Sequence, residues 1–297
     1  MKKKKLCDLF YNNGLIVEAK NGQNFSDIDI NFIKKEFIKK GCILFRNFNF
    51  KPENYKKFTD LFSLNYANDT NDLTRRKKTK YNKYIRDVDA GNLKMSLHSE
   101  ASFSPSWPDL VWFYCEEPAI KLGETTLCDG IALWDDLKEN TKSFFLSNPL
   151  LFKLKIPVVK INKKLGKKKW FINSIGTFNV FINYKTGNFH ANQIRFAVNE
   201  AKIQNKLCFA NHVLHRKPYI DKSIEKWGTL NGKRVPKKIL EEIDEKGEKL
   251  TYYHKWMKND LLMIDNKRFM HARNKFAFNE KRKIFNTQTL KSNINYV

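Results

Sequence analysis

The sequence predicts a mainly β protein with helices packed on the outside of the sheets. Strand-length apolar runs bounded by turn residues recur from Leu93 to the C terminus. Helical periodicity is concentrated in the first 65 residues and in one charged stretch, "KKILEEIDEKGEKL". No apolar run approaches the ~18–20 residues that a membrane helix requires.

The 297 residues are 41% hydrophobic, with 24 Phe, 11 Tyr and 6 Trp, enough for a large core. All-β units often run past ~200 residues as one domain, so a single domain over 1–297 is expected. It comprises an N-terminal helix–strand–helix region to about residue 65, a lid loop over 68–92 and an insertion over about 150–250.

In chain order, "SDIDINFIKKEFIKKG" reads as a helix. Ser26 and Asp29 form a capping-box-like start, Ile30, Ile33 and Phe37 make an apolar stripe, and Gly41 ends it. "CILFRNF" then reads as a strand, and Pro52 opens a second helix with Tyr55, Phe58 and Phe62 on one side. The polar run Asn68–Asn92 is the lid candidate. "LKMSLHSE" and "LVWFYCE" read as strands separated by a Ser/Pro-rich turn, and "ETTLCDGIALWDDL" passes from strand to helix after Asp129. Between residues 150 and 250, strand-like pieces such as "FINSIGTFNVFINY" mix with the charged helix. "WMKNDLLMIDNKRFMHARNKFAFNEKRKIFNTQTL" reads as strand, turn, strand, loop, strand.

Five cysteines, odd in number and without a Cys-x-x-Cys, suit reduced thiols better than a disulfide framework or a zinc knuckle. Asp8, Asn12 and Asn13 interrupt any apolar core behind the basic start, so no export signal is read and a cytoplasmic protein is expected. The net charge of +25 invites a nucleic-acid reading, but the positive residues are mostly lysines spread through every segment, and specific readers lean on Arg. A general Lys/Asn bias, or an acidic protein partner, accounts for the charge better.

"LHSEASFSPSWP" places His98 and Glu100 two residues apart, so in an extended strand they project side by side. Six histidines and 31 acids make one such pair unremarkable by itself. The C-terminal segment adds His271 on one strand and Arg282 at the start of the next. Two His and one carboxylate form a facial triad that leaves open positions on a non-haem Fe(II), and a guanidinium is a fixed fork for a carboxylate.

With "LVWFYCEEP", "LGETTLCDG" and "DLLMIDNKRFMHARNKF", these motifs resemble the taurine dioxygenase family of Fe(II)/2-oxoglutarate-dependent oxygenases, especially its syringomycin biosynthesis enzyme-like branch of biosynthetic hydroxylases. The resemblance implies a double-stranded β-helix, a jelly-roll barrel with iron at its mouth. It assigns His98, Glu100 and His271 as metal ligands, and Arg282 with Thr125 as the grip on the distal carboxylate of 2-oxoglutarate. The cofactors it implies are Fe(II), 2-oxoglutarate and O2.

Glu100 stands where many members have Asp, and its presence argues against halogenation, for which relatives replace the carboxylate with a small residue. Ala272 stands where Gly is common, and Asn286 where sulfonate users place a second Arg, which disfavours taurine. Arg86 and Asn286 are candidates for substrate contact.

Phe103, Trp107 and Trp112 are read as packing. His212 and His215, lacking a nearby third ligand, are read as structural. His190 and His254 stay unassigned. The resulting expectation is hydroxylation of an amino acid or amino-acid-like metabolite, free or tethered to an acidic carrier protein. Two alternatives stay open: an oxygenase acting on a protein or nucleic acid, and a basic binding protein that kept the barrel without catalysis. Oligomeric state is not legible.

Overall fold

The computed structural model describes residues 1–67, 79–88, 91–157, 177–183, 188–201, 203, 205–215 and 224–295. Most of the expected lid, the tip of the 150–250 segment and the lysine run at 160–170 lie outside these residues.

Two sheets build the frame of the site. The larger has eight strands, seven of them ordered Lys2–Lys5, Leu15–Glu18, Cys42–Arg46, Leu261–Asp265, Leu110–Glu117, Lys283–Ser292 and Ser63–Tyr66, while Arg86–Asp87 pairs alongside Lys283–Ser292. The smaller sheet has Thr125–Asp129 at its centre, flanked by Tyr252–His254 and Phe269–Arg273. A third, four-stranded sheet comes from Leu150–Pro157, Thr177–Asn183, Asn188–Arg195 and Ile224–Thr229.

Alternation along the strands sorts the apolar residues between faces. Ile43, Phe45, Trp112, Tyr114, Leu261 and Met263 turn to one side of the large sheet and pack with Phe37, Tyr55, Phe58 and Phe62 of the N-terminal region. Leu44, Val111, Phe113, Leu262, Ile264 and Ile284 turn to the other side, where they meet Leu127 and Phe269 of the small sheet. The outer face of the small sheet, with Cys128, Met270 and Ala272, packs on the helix Gly130–Asp136 and the third sheet. Both faces of the central strands of the large sheet are therefore covered, which explains why "LVWFYC" is a continuous apolar run rather than an alternating one.

The helices flank the sheet as expected, with shifted ends. The first spans Ile30–Lys40, and its cap is Asp29, whose side chain accepts from the Phe32 N–H; Ser26 belongs instead to a short 3-10 turn with its own Asn24/Asp27 capping box. Gly41 closes the helix with φ 64°, and a Cβ there would lie 2.7 Å from the Phe269 ring. The second helix is Tyr55–Asp60, starting three residues after Pro52. The charged helix is Lys237–Lys249. All five cysteines are buried and unpaired. Among the described residues no helix is long and apolar enough to cross a membrane.

Candidate metal centre

His271 lies in the middle of the strand Phe269–Arg273. Met270 and Ala272 face the outer cluster and Phe269 the space between the sheets, so His271 points inward, its ring 5.2 Å from that of Phe113. The methyl of Ala272 therefore packs away from the site.

His98 is not in a regular strand. The strand expected over Leu93–Glu100 reduces to one bridged residue, with His98 opposite His271, and the chain turns at Glu100 before Ala101 at φ 51°. Strand alternation therefore does not set the His98/Glu100 geometry. Asn266, fully buried in the turn between Leu261–Asp265 and Phe269–Arg273, fixes it instead. Its Oδ1 accepts from the Glu100 N–H at 2.8 Å, and its Nδ2 donates to Glu100 O and Pro108 O, each at 3.0 Å. Its carbonyl accepts from Ser99 Oγ at 2.5 Å, and that hydroxyl accepts from Trp107 Nε1 at 2.9 Å.

The ligand atoms of His98, Glu100 and His271 all lie within 4.8 Å of one another, and no other such group of three occurs among the described residues. His271 Nε2 is 3.7 Å from Glu100 Oε2. Adjacent donors on a divalent metal bound at ~2.1 Å sit ~3 Å apart, so a small inward movement gives a coordination set. His98 Nδ1 lies 2.9 Å from Ser96 O. A carbonyl only accepts, so Nδ1 carries the hydrogen and Nε2 keeps its lone pair for a metal. Burial, with His271 and His212 close by, pushes the His98 imidazole well below its ordinary pKa, which favours the neutral ligand form.

Thr125 and Arg282 are also brought together. Arg282 Nη2 is 3.4 Å from Thr125 Oγ1, its Nε donates to Gly123 O at 2.7 Å, and Trp256 Nε1 donates to the same threonine hydroxyl at 3.0 Å. Gly123 has φ +71°, and a Cβ there would lie 3.2 Å from Arg282 Cδ. Burial, followed by the neighbouring Arg273 guanidinium, pushes Arg282 down to about 9. Leu127 pairs with His271, and Thr125 with Arg273. Two residues of strand, ~7 Å, thus separate the two ends of the site, near the length of a five-carbon dicarboxylate.

Arg86 and Asn286 are cross-strand partners. Asn286 is buried, its Nδ2 donating to Trp112 O at 3.3 Å and its Oδ1 accepting from Gln288 Nε2 at 3.1 Å. Arg86 is half-buried, with Nη2 3.4 Å from Lys83 O. Asn286 also pairs with Phe113, the residue against His271.

His212 and His215, read from the sequence as structural, stand next to His98. Their rings lie 5.4 and 4.6 Å from that of His98 and 4.8 Å from each other. Burial pushes each down to about 3, with His215 adding to the effect on His212 and His98 to that on His215. Two histidines three apart in "FANHVLH" were the visible sign; their proximity to His98 is tertiary. Phe103 packs on His212 at 4.8 Å, whereas Trp112 is core and Trp107 ties down Ser99. His254 sits 3.5 Å from Asp260, away from the three donors in the fold's small-sheet edge strand. His190 lies on the strand Asn188–Arg195.

Residues 15–288 match the family model described as taurine catabolism dioxygenase TauD, TfdA family. Among curated proteins none matches significantly. Solved structures share the fold at low identity. AAD-2 in complex with Mn(II) and N-oxalylglycine is 15% identical with a TM-score of 0.60, over 97% of each chain. A taurine dioxygenase from Burkholderia xenovorans is 11% identical with a TM-score of 0.61, over 97% of this chain and 88% of that one. PvcB, an Fe, α-ketoglutarate dependent oxygenase from an isonitrile synthetic pathway, is 12% identical with a TM-score of 0.58, over 93% and 85%.

Proposed function

Because the chain belongs to the TauD, TfdA family of Fe(II)/2-oxoglutarate-dependent dioxygenases, we propose that it hydroxylates an unactivated C–H bond of an amino acid or amino-acid-like metabolite in specialised-metabolite biosynthesis. Iron(II), 2-oxoglutarate and oxygen are its cofactors. The proposal extends to a double-stranded β-helix whose mouth carries His98, Glu100 and His271 as iron ligands. Arg282 and Thr125 take the distal carboxylate of 2-oxoglutarate. A biosynthetic role is in keeping with PvcB, which acts in an isonitrile synthetic pathway.

The observation that carries the reading is the convergence of two imidazoles and one carboxylate, with ligand atoms within 4.8 Å, from segments far apart in the sequence. Such a set holds Fe(II) on one face and leaves positions for cosubstrate and oxygen. The bound iron supplies oxygen activation coupled to decarboxylation of 2-oxoglutarate. Ser96 O holds the tautomer of His98, and Asn266 fixes the backbone under Glu100. Arg282 offsets a carboxylate that would be costly to bury alone, and the Thr125 hydroxyl adds a hydrogen bond. The inward-facing Phe113 and the surrounding apolar core exclude water from the metal side. Retention of Glu100 favours hydroxylation over halogenation, and Asn286 in place of a second guanidinium favours a substrate other than a sulfonate.

A substrate tethered to an acidic carrier protein fits the +25 net charge, in a cytoplasmic enzyme. The test is anaerobic loading with Fe(II) and 2-oxoglutarate, admission of oxygen with a panel of free amino acids and carrier-bound aminoacyl groups, and mass spectrometry. A product heavier by one oxygen atom, formed together with succinate, is expected. Succinate formation that no member of the panel stimulates would remove the amino-acid assignment.

A further inference from the structure

The three metal donors account for two of the four histidines in this cluster. His212 and His215 sit on one tight turn in which the His215 N–H donates to His212 O at 3.2 Å and the Val213 N–H to Asn211 Oδ1 at 2.9 Å. The turn is tied to the metal-binding segment itself, because Asn211 O accepts from the N–H of Ser99, between His98 and Glu100, at 2.8 Å. Asn211 Nδ2 holds the other side through Ala197 O at 2.7 Å.

His212 is 5% exposed and, among the described residues, neither of its ring nitrogens has a hydrogen-bond partner; the same holds for Nδ1 of His215. A buried polar atom without a partner costs about 1–3 kcal/mol, which a leucine or phenylalanine at the same place would avoid. Two imidazoles kept at that cost, beside a donor set that is complete without them, are suited to a polar group that arrives with a ligand. Phe103 against His212 supplies an apolar surface next to the polar one.

We propose that His212 and His215 are substrate-binding residues that hydrogen-bond an uncharged polar group of the primary substrate, an amide or hydroxyl, beside the carbon to be oxidised. The inference rests on the iron and 2-oxoglutarate assignment above. Charge decides between neutral and ionic partners. Two positive charges from iron and one each from Arg282 and Arg273 balance one negative charge each from Glu100 and Glu124 and two from the cosubstrate, so a further buried ion would stand uncompensated. A neutral imidazole both donates and accepts, as an amide or hydroxyl requires.

The probe is acetamide, soaked into crystals of the full chain with Mn(II) and N-oxalylglycine. Acetamide is expected within hydrogen-bonding distance of the His212 ring in the wild type, retained in His212→Asn and lost in His212→Leu, while metal and N-oxalylglycine occupancy stay unchanged in all three. Metal bound at His98, Glu100 and His271 with acetamide absent, or equally bound in His212→Leu, overturns this inference and leaves the iron assignment standing. Absence of metal from those three residues overturns both. The wild-type soak and His212→Asn decide the matter if His212→Leu does not fold.

Discussion

His98 and His271 are joined through their backbones: the His98 N–H donates to His271 O at 3.0 Å and the His271 N–H donates to His98 O at 2.8 Å. Residues 173 positions apart are thereby held opposite each other before any metal binds. A pre-formed pair of this kind lowers the ordering cost of coordination.

Asn266 governs the backbone at Glu100, the third of the proposed donors. Its side chain and carbonyl meet Ser99, Glu100 and Pro108 with no exposure to solvent. Asn266→Leu should cost about 2–4 kcal/mol by leaving the Glu100 N–H and two carbonyls unsatisfied, read as a lower urea midpoint. Fe(II) affinity should fall as well, even though Asn266 does not touch the metal. Unchanged affinity in a folded variant would contradict its positioning role.

Arg282 should control cosubstrate affinity rather than iron affinity. Losing a charge-assisted pair in an enclosed site is worth about 3 kcal/mol, or ~100-fold in Kd. Arg282→Gln should weaken 2-oxoglutarate binding by about that factor, and Thr125→Val by about 5-fold, consistent with one neutral hydrogen bond. Calorimetry with N-oxalylglycine on the metal-loaded protein measures both, and equal losses of iron in these variants would contradict the division of labour.

Asp129 and Arg268 support the small sheet from behind. Arg268 Nε donates to Asp129 Oδ1 at 3.0 Å, and its Nη atoms reach Lys39 O at 3.0 Å and Tyr11 O at 2.6 Å. Removing one partner leaves a buried charge, so Arg268→Met should destabilise by about 3–5 kcal/mol. Arg268→Met with Asp129→Leu should recover part of that loss in a double-mutant cycle.

The metal-free protein should weaken in mild acid. His212 and His215 are held at about 3 by burial, against ~6.5 in the unfolded chain. Between those values the unfolded chain binds protons that the native state refuses, so stability rises with pH. His212 alone should cost about 2 kcal/mol on going from ~pH 7.5 to ~pH 5, and His212→Asn should flatten the profile. A thermal melt series across that window checks the sign.

Sequence periodicity located the elements that are locally determined. Gly41 stands where a left-handed residue must end a helix, and Asp129 where a strand turns into one. The candidate metal ligands could be picked out because His98 and Glu100 are close in sequence, and His271 lies on one strand with Arg282 just ahead of the next. What alternation misjudged was the cause: the His98/Glu100 geometry comes from Asn266, whose role depends on contacts across more than 150 residues. The shift of the first helix cap from Ser26 to Asp29 reflects two caps within six residues, the Asn24/Asp27 box on the 3-10 turn and Asp29 on the helix. The position of His212 beside His98 was not legible for the same reason, since nothing local places its turn against Ser99.

The most direct measurement is anaerobic Fe(II) titration of the wild type, His98→Ala and His271→Ala in the presence of 2-oxoglutarate, followed by oxygen and quantification of succinate. One iron per chain and oxygen-dependent succinate are expected for the wild type, with both lost in either alanine variant while the fold is retained. Tight iron binding and undiminished succinate in a folded His271→Ala protein would contradict the assignment of the ferrous site.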